Sequence, residues 1–312
     1  MRFFTRVPGL VEYPPNHQPW EYEVTPPVLR RIVHTTEGAG FDGVAIPEQI
    51  VLSPEDATVM GRRWPDCLTT IAFLAGATER LQFMSSVLIL PLHHPIRLAK
   101  RVATLDELTE GRFELGVGVS IFPAEFERFG VAFHERGRIA DEYLEALLEL
   151  WSASTPRFEG RYVRFNSLIA EPKPRGGRPT IWVGGDSDAA IQRAARFGDG
   201  WMPWQTSLSA LPARLDVLRA ARSRVQATTT MQVAMPLALL EVGADHRPAE
   251  GMTGRPSGPN STEEILARLD EMSSLGVTST SVPTPTVSSV DEYLDWLTRF
   301  GESVITPWRN NG

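Results

Sequence analysis

The chain has 312 residues, 42% of them hydrophobic and 22% charged, with a formal net charge of −7. That composition suits a globular chain able to bury a large core, and its acidic balance lacks the clustered Lys and Arg that nucleic acid or an anionic membrane surface rewards. The single cysteine, Cys67, rules out an internal disulfide framework.

Taken in order, the chain opens on a strand-like run, Arg2 to Val7. Its two arginines make it unlike the apolar core of a secretory leader, and no later apolar stretch reaches membrane-spanning length. A cytoplasmic protein is therefore expected. Further short runs rich in β-branched or aromatic residues follow at Asp42 to Pro47, Leu81 to Leu90, Arg112 to Val119, Thr180 to Gly184, Gly200 to Trp204, Met231 to Leu240 and Thr278 to Pro283. Between them lie segments of helical period. Ile96, Ala99, Val102 and Ala103 make one stripe; Ile139, Tyr143, Leu147, Leu150 and Trp151 a second; Val290, Tyr293, Leu294, Leu297 and Phe300 a third. Ser261 with Glu264 and Ser289 with Glu292 have the spacing of capping boxes.

Strand and helix alternating from end to end predict an α/β fold, a (β/α)8 TIM barrel, for which about 250 residues plus insertions is the usual length. The whole chain, 1–312, is read as one domain with insertions at about 120–179 and 243–260. Long loops on one rim build a barrel's active site. The Gly- and Pro-rich stretch Gly243 to Asn260 is either a lid or an unstructured insertion, and Tyr13, Trp20, Tyr22 and Phe122 lie in or beside long loops where an apolar chamber could open.

The strongest local motif is Ile181-Trp182-Val183-Gly184-Gly185-Asp186-Ser187, running into the helical stretch Asp188 to Phe197. A buried strand ending in two glycines before a helix exposes amide N–H groups at a positive dipole end, where a phosphate can sit. A plain strand-to-helix turn capped by Asp186 or Ser187 is the competing reading. Gly116 and Gly118 resemble the start of a dinucleotide fingerprint, but Ile121 occupies the place of its third glycine, so that reading fails. Those glycines either let a planar ligand approach the backbone or relieve crowding. Glu48 and Gln49 follow the second strand, and His93 and His94 the third; these rim positions make Gln49 a candidate polarising donor and Glu48 or His94 candidate proton sources. Adjacent imidazoles diverge, so no metal is expected. Cys67 reads as core. No Gly-x-Ser-x-Gly elbow or Walker loop is present, which points away from serine hydrolysis and nucleoside triphosphate hydrolysis.

Two blocks, Leu98 to Gly118 and Pro172 to Trp201 with its Pro179-Thr-Ile-Trp-Val-Gly-Gly185 core, resemble the bacterial luciferase-like flavin and deazaflavin oxidoreductases. Glu125-Phe126, Gly130, Glu135-Arg136 and Asp141-Glu142 fit the same pattern between them. The resemblance implies a barrel whose pocket at the strand carboxyl ends holds coenzyme F420 or FMN, with the cofactor phosphate near Gly184, Gly185, Asp186 and Ser187 and with Trp201 close by. It also implies a non-prolyl cis peptide at Ser86-Val87 behind the cofactor ring, and a homodimer.

Two departures narrow the expectation. Many relatives carry Asp-His where this chain has Glu48-Gln49, and the sugar-phosphate dehydrogenases carry a glutamate where this chain has Ile121. Only Lys100 and Lys173 among the 31 basic residues are lysines, the bias of a high-GC genome. Together with the overall resemblance this favours F420 and hydride transfer to or from a small, apolar organic substrate. The alternatives are an FMN-dependent monooxygenase fed by a separate flavin reductase, and a non-catalytic barrel that only binds a ligand.

Overall fold

Short strands that each carry a helix home close naturally into a ring. The structure, a computed structural model that describes residues 1–14, 16–237 and 261–311, shows that ring. Its parallel strands are β1 (Arg2–Thr5), β2 (Gly43–Ile46), β3 (Gln82–Ser85), β4 (Phe113–Gly118), β5 (Thr180–Gly184), β6 (Gly200–Met202), β7 (Gln232–Pro236) and β8 (Ser279–Val282). Closure comes from β1, which pairs with β8 along Arg2–Thr5 and with β2 at Phe4 and Thr5.

Each strand lies within a run expected from sequence. The third is broken: β3 stops at Ser85 and resumes at Leu88–Ile89, which pairs with Val117 and Gly118 of β4. The Ser86–Val87 peptide between the halves is cis, as the resemblance implies. Side chains stitch the break. The Ser85 hydroxyl accepts from Gly116 N and donates to Gly116 O, both at 2.9 Å, while Ile89 N donates to the Glu48 carboxylate at 2.8 Å. The seventh run keeps its strand over Gln232–Pro236; its end at Ala238 to Leu240, and all of Gly243 to Asn260, lie outside the described residues.

The helices that pack outside the sheet include α1 (Pro26–Gly38), α2 (Pro54–Met60), α3 (Cys67–Ala75), α4 (Pro95–Leu108), α5 (Pro123–Arg128), α6 (Arg136–Ser152), α7 (Asp188–Phe197), α8 (Leu211–Arg224), α9 (Thr262–Ser274) and α10 (Val290–Phe300). Proline opens the first turn of α1, α2, α4 and α5, where its missing N–H costs nothing. The stripe of α4 begins at Leu98 rather than Ile96, which sits in the first turn and is 38% exposed. Ser261 and Glu264 form the full capping box. At α10 only half of it forms: Ser289 accepts from Glu292 N, but the Glu292 carboxylate accepts from Ser288 N, one residue early. The expected insertion at 120–179 holds α5, α6 and an antiparallel pair, Phe158–Glu159 with Arg164–Phe165; α6 packs on α4 as a barrel helix.

Inside the ring, Phe4, Met84 and Trp182 form a cluster separate from the outer core. Large residues need small partners there. An added Cβ at Gly200 would lie 2.1 Å from the Trp182 ring, and one at Gly43 2.4 Å from the Phe4 ring. At the amino ends of the strands the barrel is plugged by polar groups. Arg2 bonds Gln82, Gln232 and the Glu114 carboxylate and lies over the Phe4 ring, and the Trp182 indole donates to the other Glu114 oxygen at 2.6 Å. Every charge in this floor has a partner, as a buried charge requires.

Candidate active site

The opposite rim, at the strand carboxyl ends, is hollow. Two adjoining cavities of about 300 and 280 Å³ share Arg6, Asn16, Ala45 and Pro47. The smaller is the deeper, reaching Thr5, Ser86, Pro236 and Ser281 at the tops of β1, β3, β7 and β8. The larger opens under the loops that follow β1, β2, β4 and β6, and its wall is apolar.

Arg6 stands where the two cavities meet, continuing β1. Its guanidinium donates to both Glu21 oxygens at 2.6 and 3.2 Å, to Thr284 Oγ1 at 2.7 Å and to Asn16 O at 2.9 Å. The Glu21 side chain is fully buried and also accepts from Gly9 N and Gln18 N. Gln18 in turn bonds Pro285 O and Val287 N. The loop after β1 is thus tied to the loop after β8 through a neutralised ion pair. Tyr13 lines the same wall, and burial pushes its phenol up to about 12, so it stays protonated.

On the far side of the mouth, β5 runs through Gly184 and Gly185 into α7. Ser187 caps the helix by accepting from Ala190 N at 3.2 Å. Asp186 turns the other way: its carboxylate accepts from Trp204 N, Gln205 N, Thr206 N and the Thr206 hydroxyl, pinning the loop after β6. The amides of Asp186, Ser187, Asp188 and Ala189 have no acceptor among the described residues. Four free N–H groups at the start of a helix form a site that fits a phosphate. The two sequence readings of the motif do not exclude each other, since the cap uses the serine side chain and leaves these amides open.

Val87 explains the glycines near the ring's expected place. A Cβ at Gly118 would lie 2.5 Å from its side chain and one at Gly184 3.0 Å, while Gly116 faces Ser85 O at 2.0 Å. They relieve crowding around the break in β3, and Ser86 is left on the cavity floor. Trp201 is wholly buried, its indole donating to Gly185 O at 2.9 Å; it supports the glycine turn from behind and lines neither cavity.

The three expected chemical side chains are placed elsewhere. Ala45 and Pro47 face the mouth, so by strand alternation Glu48 faces out. Its carboxylate holds Ile89 N and His93 Nε2, each at 2.8 Å. His93, not His94, is its partner; the His94 side chain diverges from its neighbour's into solvent at the start of α4. Gln49 is buried, and its amide donates back to Val51 O at 3.3 Å. Beside it Glu125 accepts from Ile50 N and Val51 N and leaves Oε2 without a partner; burial raises its pKa against the lowering effect of those amides. None of Glu48, Gln49 and His94 lines either cavity.

Of the aromatic residues expected at the mouth, Tyr13 and Phe122 are there, Trp20 is buried against Tyr293 at 5.6 Å, and Tyr22 is 71% exposed. Arg6, Glu21, Trp64 and Trp204 were not singled out from sequence, and only the charge of Glu21 between Trp20 and Tyr22 hinted at a buried pair. Cys67 is core, its thiol donating to Ile46 O and pushed well up by burial. Among the described residues no group of His, Cys, Asp and Glu could hold a metal ion.

A family model described as luciferase-like monooxygenase matches residues 3–250. Among curated proteins, an uncharacterized protein of Mycobacterium tuberculosis is 33% identical over 183 residues, 55% of this chain and 63% of that protein. The FMNH(2)-dependent dimethylsulfone monooxygenase of Pseudomonas fluorescens is 35% identical over 150 residues, 47% of this chain and 41% of the enzyme. The matches thus span less than two thirds of either relative. Among solved structures, the monooxygenase RslO1 from Streptomyces bottropensis superposes with a TM-score of 0.76 at 21% identity, covering 99% of this chain and all of that one. An F420-dependent secondary alcohol dehydrogenase, in complex with an F420–acetone adduct, gives 0.75 at 14%, with 97% and 98% covered. At these identities the likeness is one of fold.

Proposed function

This chain belongs to the luciferase-like monooxygenase family, and on that premise we propose that it is an oxidoreductase that transfers a hydride between coenzyme F420 and a small, apolar organic substrate. Two observations at the carboxyl ends of the strands carry the reading: a cavity lined by Ser86 beside the break in β3, and, where β5 runs into α7, four amides without an acceptor among the described residues. A flat ring and a ribityl phosphate need such a pair. F420 bound there would supply the hydride, and the protein's part is to hold, orient and shield.

The residues on hand suit that part. The amides of Asp186 to Ala189 would bind the phosphate, and Ser86 would lie under the ring. The Arg6–Glu21 pair fixes the loop that roofs the cavity, and Trp64, Phe122 and Trp204 keep water from the reacting carbon. Tyr13, protonated at neutral pH, lines the substrate side. Gln49 belongs to the support of the loop after β2, through Val51 and the neighbouring Glu125, rather than to the reacting centre.

The choice of F420 rests on the two sequence blocks. The 35% identity to a dimethylsulfone monooxygenase that uses FMNH(2) favours a second reading, an FMN-dependent monooxygenase with a separate reductase. Parallel calorimetric titrations with F420 and FMN, each oxidised and anaerobically reduced, separate them. Tight F420 binding with weak FMN binding is expected; preference for reduced FMN would overturn the F420 assignment in favour of oxygen chemistry, and binding of neither would remove the cofactor site.

A further inference from the structure

The larger rim cavity is walled by Leu10, Met60, Trp64, Ile121, Phe122 and Trp204. At about 300 Å³ it lies at the small end of the roughly 300–1,000 Å³ range of ligand pockets. Among the described residues Arg6 is the only charged side chain on the wall of either cavity. Its charge is already matched: the Glu21 carboxylate, fully buried, takes two of its N–H groups, and Thr284 and Asn16 take two more. The Trp64 indole N–H is likewise turned to protein, bonding Met60 O at 3.2 Å, so that residue offers the chamber its apolar face.

An anion entering this chamber would shed water and meet on its wall, among the described residues, only a guanidinium already bound to a carboxylate that repels the anion. A hydroxyl or carbonyl group loses far less water on entering an apolar chamber. The walls offer flat indole and phenyl surface, which favours ring-bearing ligands.

We infer that the chamber beside Arg6 selects uncharged, ring-bearing alcohols and carbonyl compounds and rejects carboxylates of the same skeleton, through neutralisation of Arg6 by Glu21. This names the substrate class of the oxidoreductase proposed above and rests on that reading for turnover, though the selection itself is a property of binding.

The test is calorimetric titration of the full chain at pH 8 with cinnamyl alcohol, benzylideneacetone and cinnamate, with and without F420. The alcohol and the ketone are expected to bind, and cinnamate about 100-fold or more weaker, the scale of an uncompensated buried charge. Glu21→Gln, checked for a native circular dichroism spectrum, is expected to tighten cinnamate at least about tenfold relative to the alcohol, since it frees the Arg6 charge. Cinnamate binding within about tenfold of the alcohol in the unmodified protein would overturn the inference, as would binding of none of the three probes. Should Glu21→Gln fail to fold, the unmodified protein's selectivity alone decides. Selective binding of the neutral probes by a protein that takes neither F420 nor FMN would sink the oxidoreductase reading and leave this one standing.

Discussion

Gly200→Ala tests the packing inside the ring. The new Cβ would stand 2.1, 2.4 and 2.5 Å from three atoms of the Trp182 ring, where carbon atoms rest at about 3.5–4.0 Å. The indole would therefore have to retreat by more than about 1 Å. It has nowhere to go. Trp182 is fully buried among Phe4, Met84 and Met202, and its N–H is held at 2.6 Å by Glu114. Overpacking alone costs about 1–3 kcal/mol, and displacing a hydrogen bond to a charged group adds about 1.5–3 kcal/mol. The expected loss is about 3–5 kcal/mol, at the upper end because both terms act on one side chain. Urea unfolding followed by near-ultraviolet circular dichroism measures it. Gly38→Ala is the control: Gly38 ends α1, is exposed, and its Cβ would meet nothing within 4 Å. That change is expected to stabilise by about 0.4–1 kcal/mol. A Gly200→Ala protein within about 0.5 kcal/mol of the original would refute the argument that the ring interior is packed to its limit.

The Arg6–Glu21 pair should behave as a unit. Glu21→Ala strands a guanidinium and is expected to cost about 3–5 kcal/mol, whereas Arg6→Met combined with Glu21→Leu should cost much less than the sum of the single changes; additivity in urea unfolding would disprove the coupling. Glu125 gives a pH signature. Its folded pKa is raised, so the folded state holds the proton more tightly than the unfolded one. The stability it contributes is present below the ordinary carboxylate pKa and is lost as pH rises through the raised value. Glu125→Gln keeps an acceptor for Ile50 N and Val51 N, so the difference in unfolding free energy, variant minus original, should increase with pH across that window; a difference that stays flat would remove the buried carboxylate from the account.

The barrel was legible because its signals are local. Each strand is a short apolar run, each helix has one stripe and a recognisable start, and the glycine turn into α7 combines a strand end with a cap. What escaped was direction. Strand alternation fixes that Pro47 faces the mouth and Glu48 does not, but a residue count past the end of a strand does not show where the loop turns, and Glu48, Gln49 and His94 line neither cavity. Trp201 illustrates the same limit: an indole beside a glycine turn can face the ligand or the core, and its bond to Gly185 O decides for the core. The Arg6–Glu21 pair depends on an irregular loop returning across the rim, for which sequence spacing offers no period to read.

The polar plug of Arg2, Gln82, Glu114 and Gln232 closes one end of the barrel with residues drawn from β1, β3, β4 and β7. The chamber wall is built at the other end, largely from residues beyond the strands, such as Trp64, Ile121 and Trp204 in loops and Met60 at the end of α2. Mutations that reshape what the protein accepts can therefore accumulate at the mouth while the seal at the base keeps the ring shut, and a lineage can change its substrate without passing through unfolded intermediates.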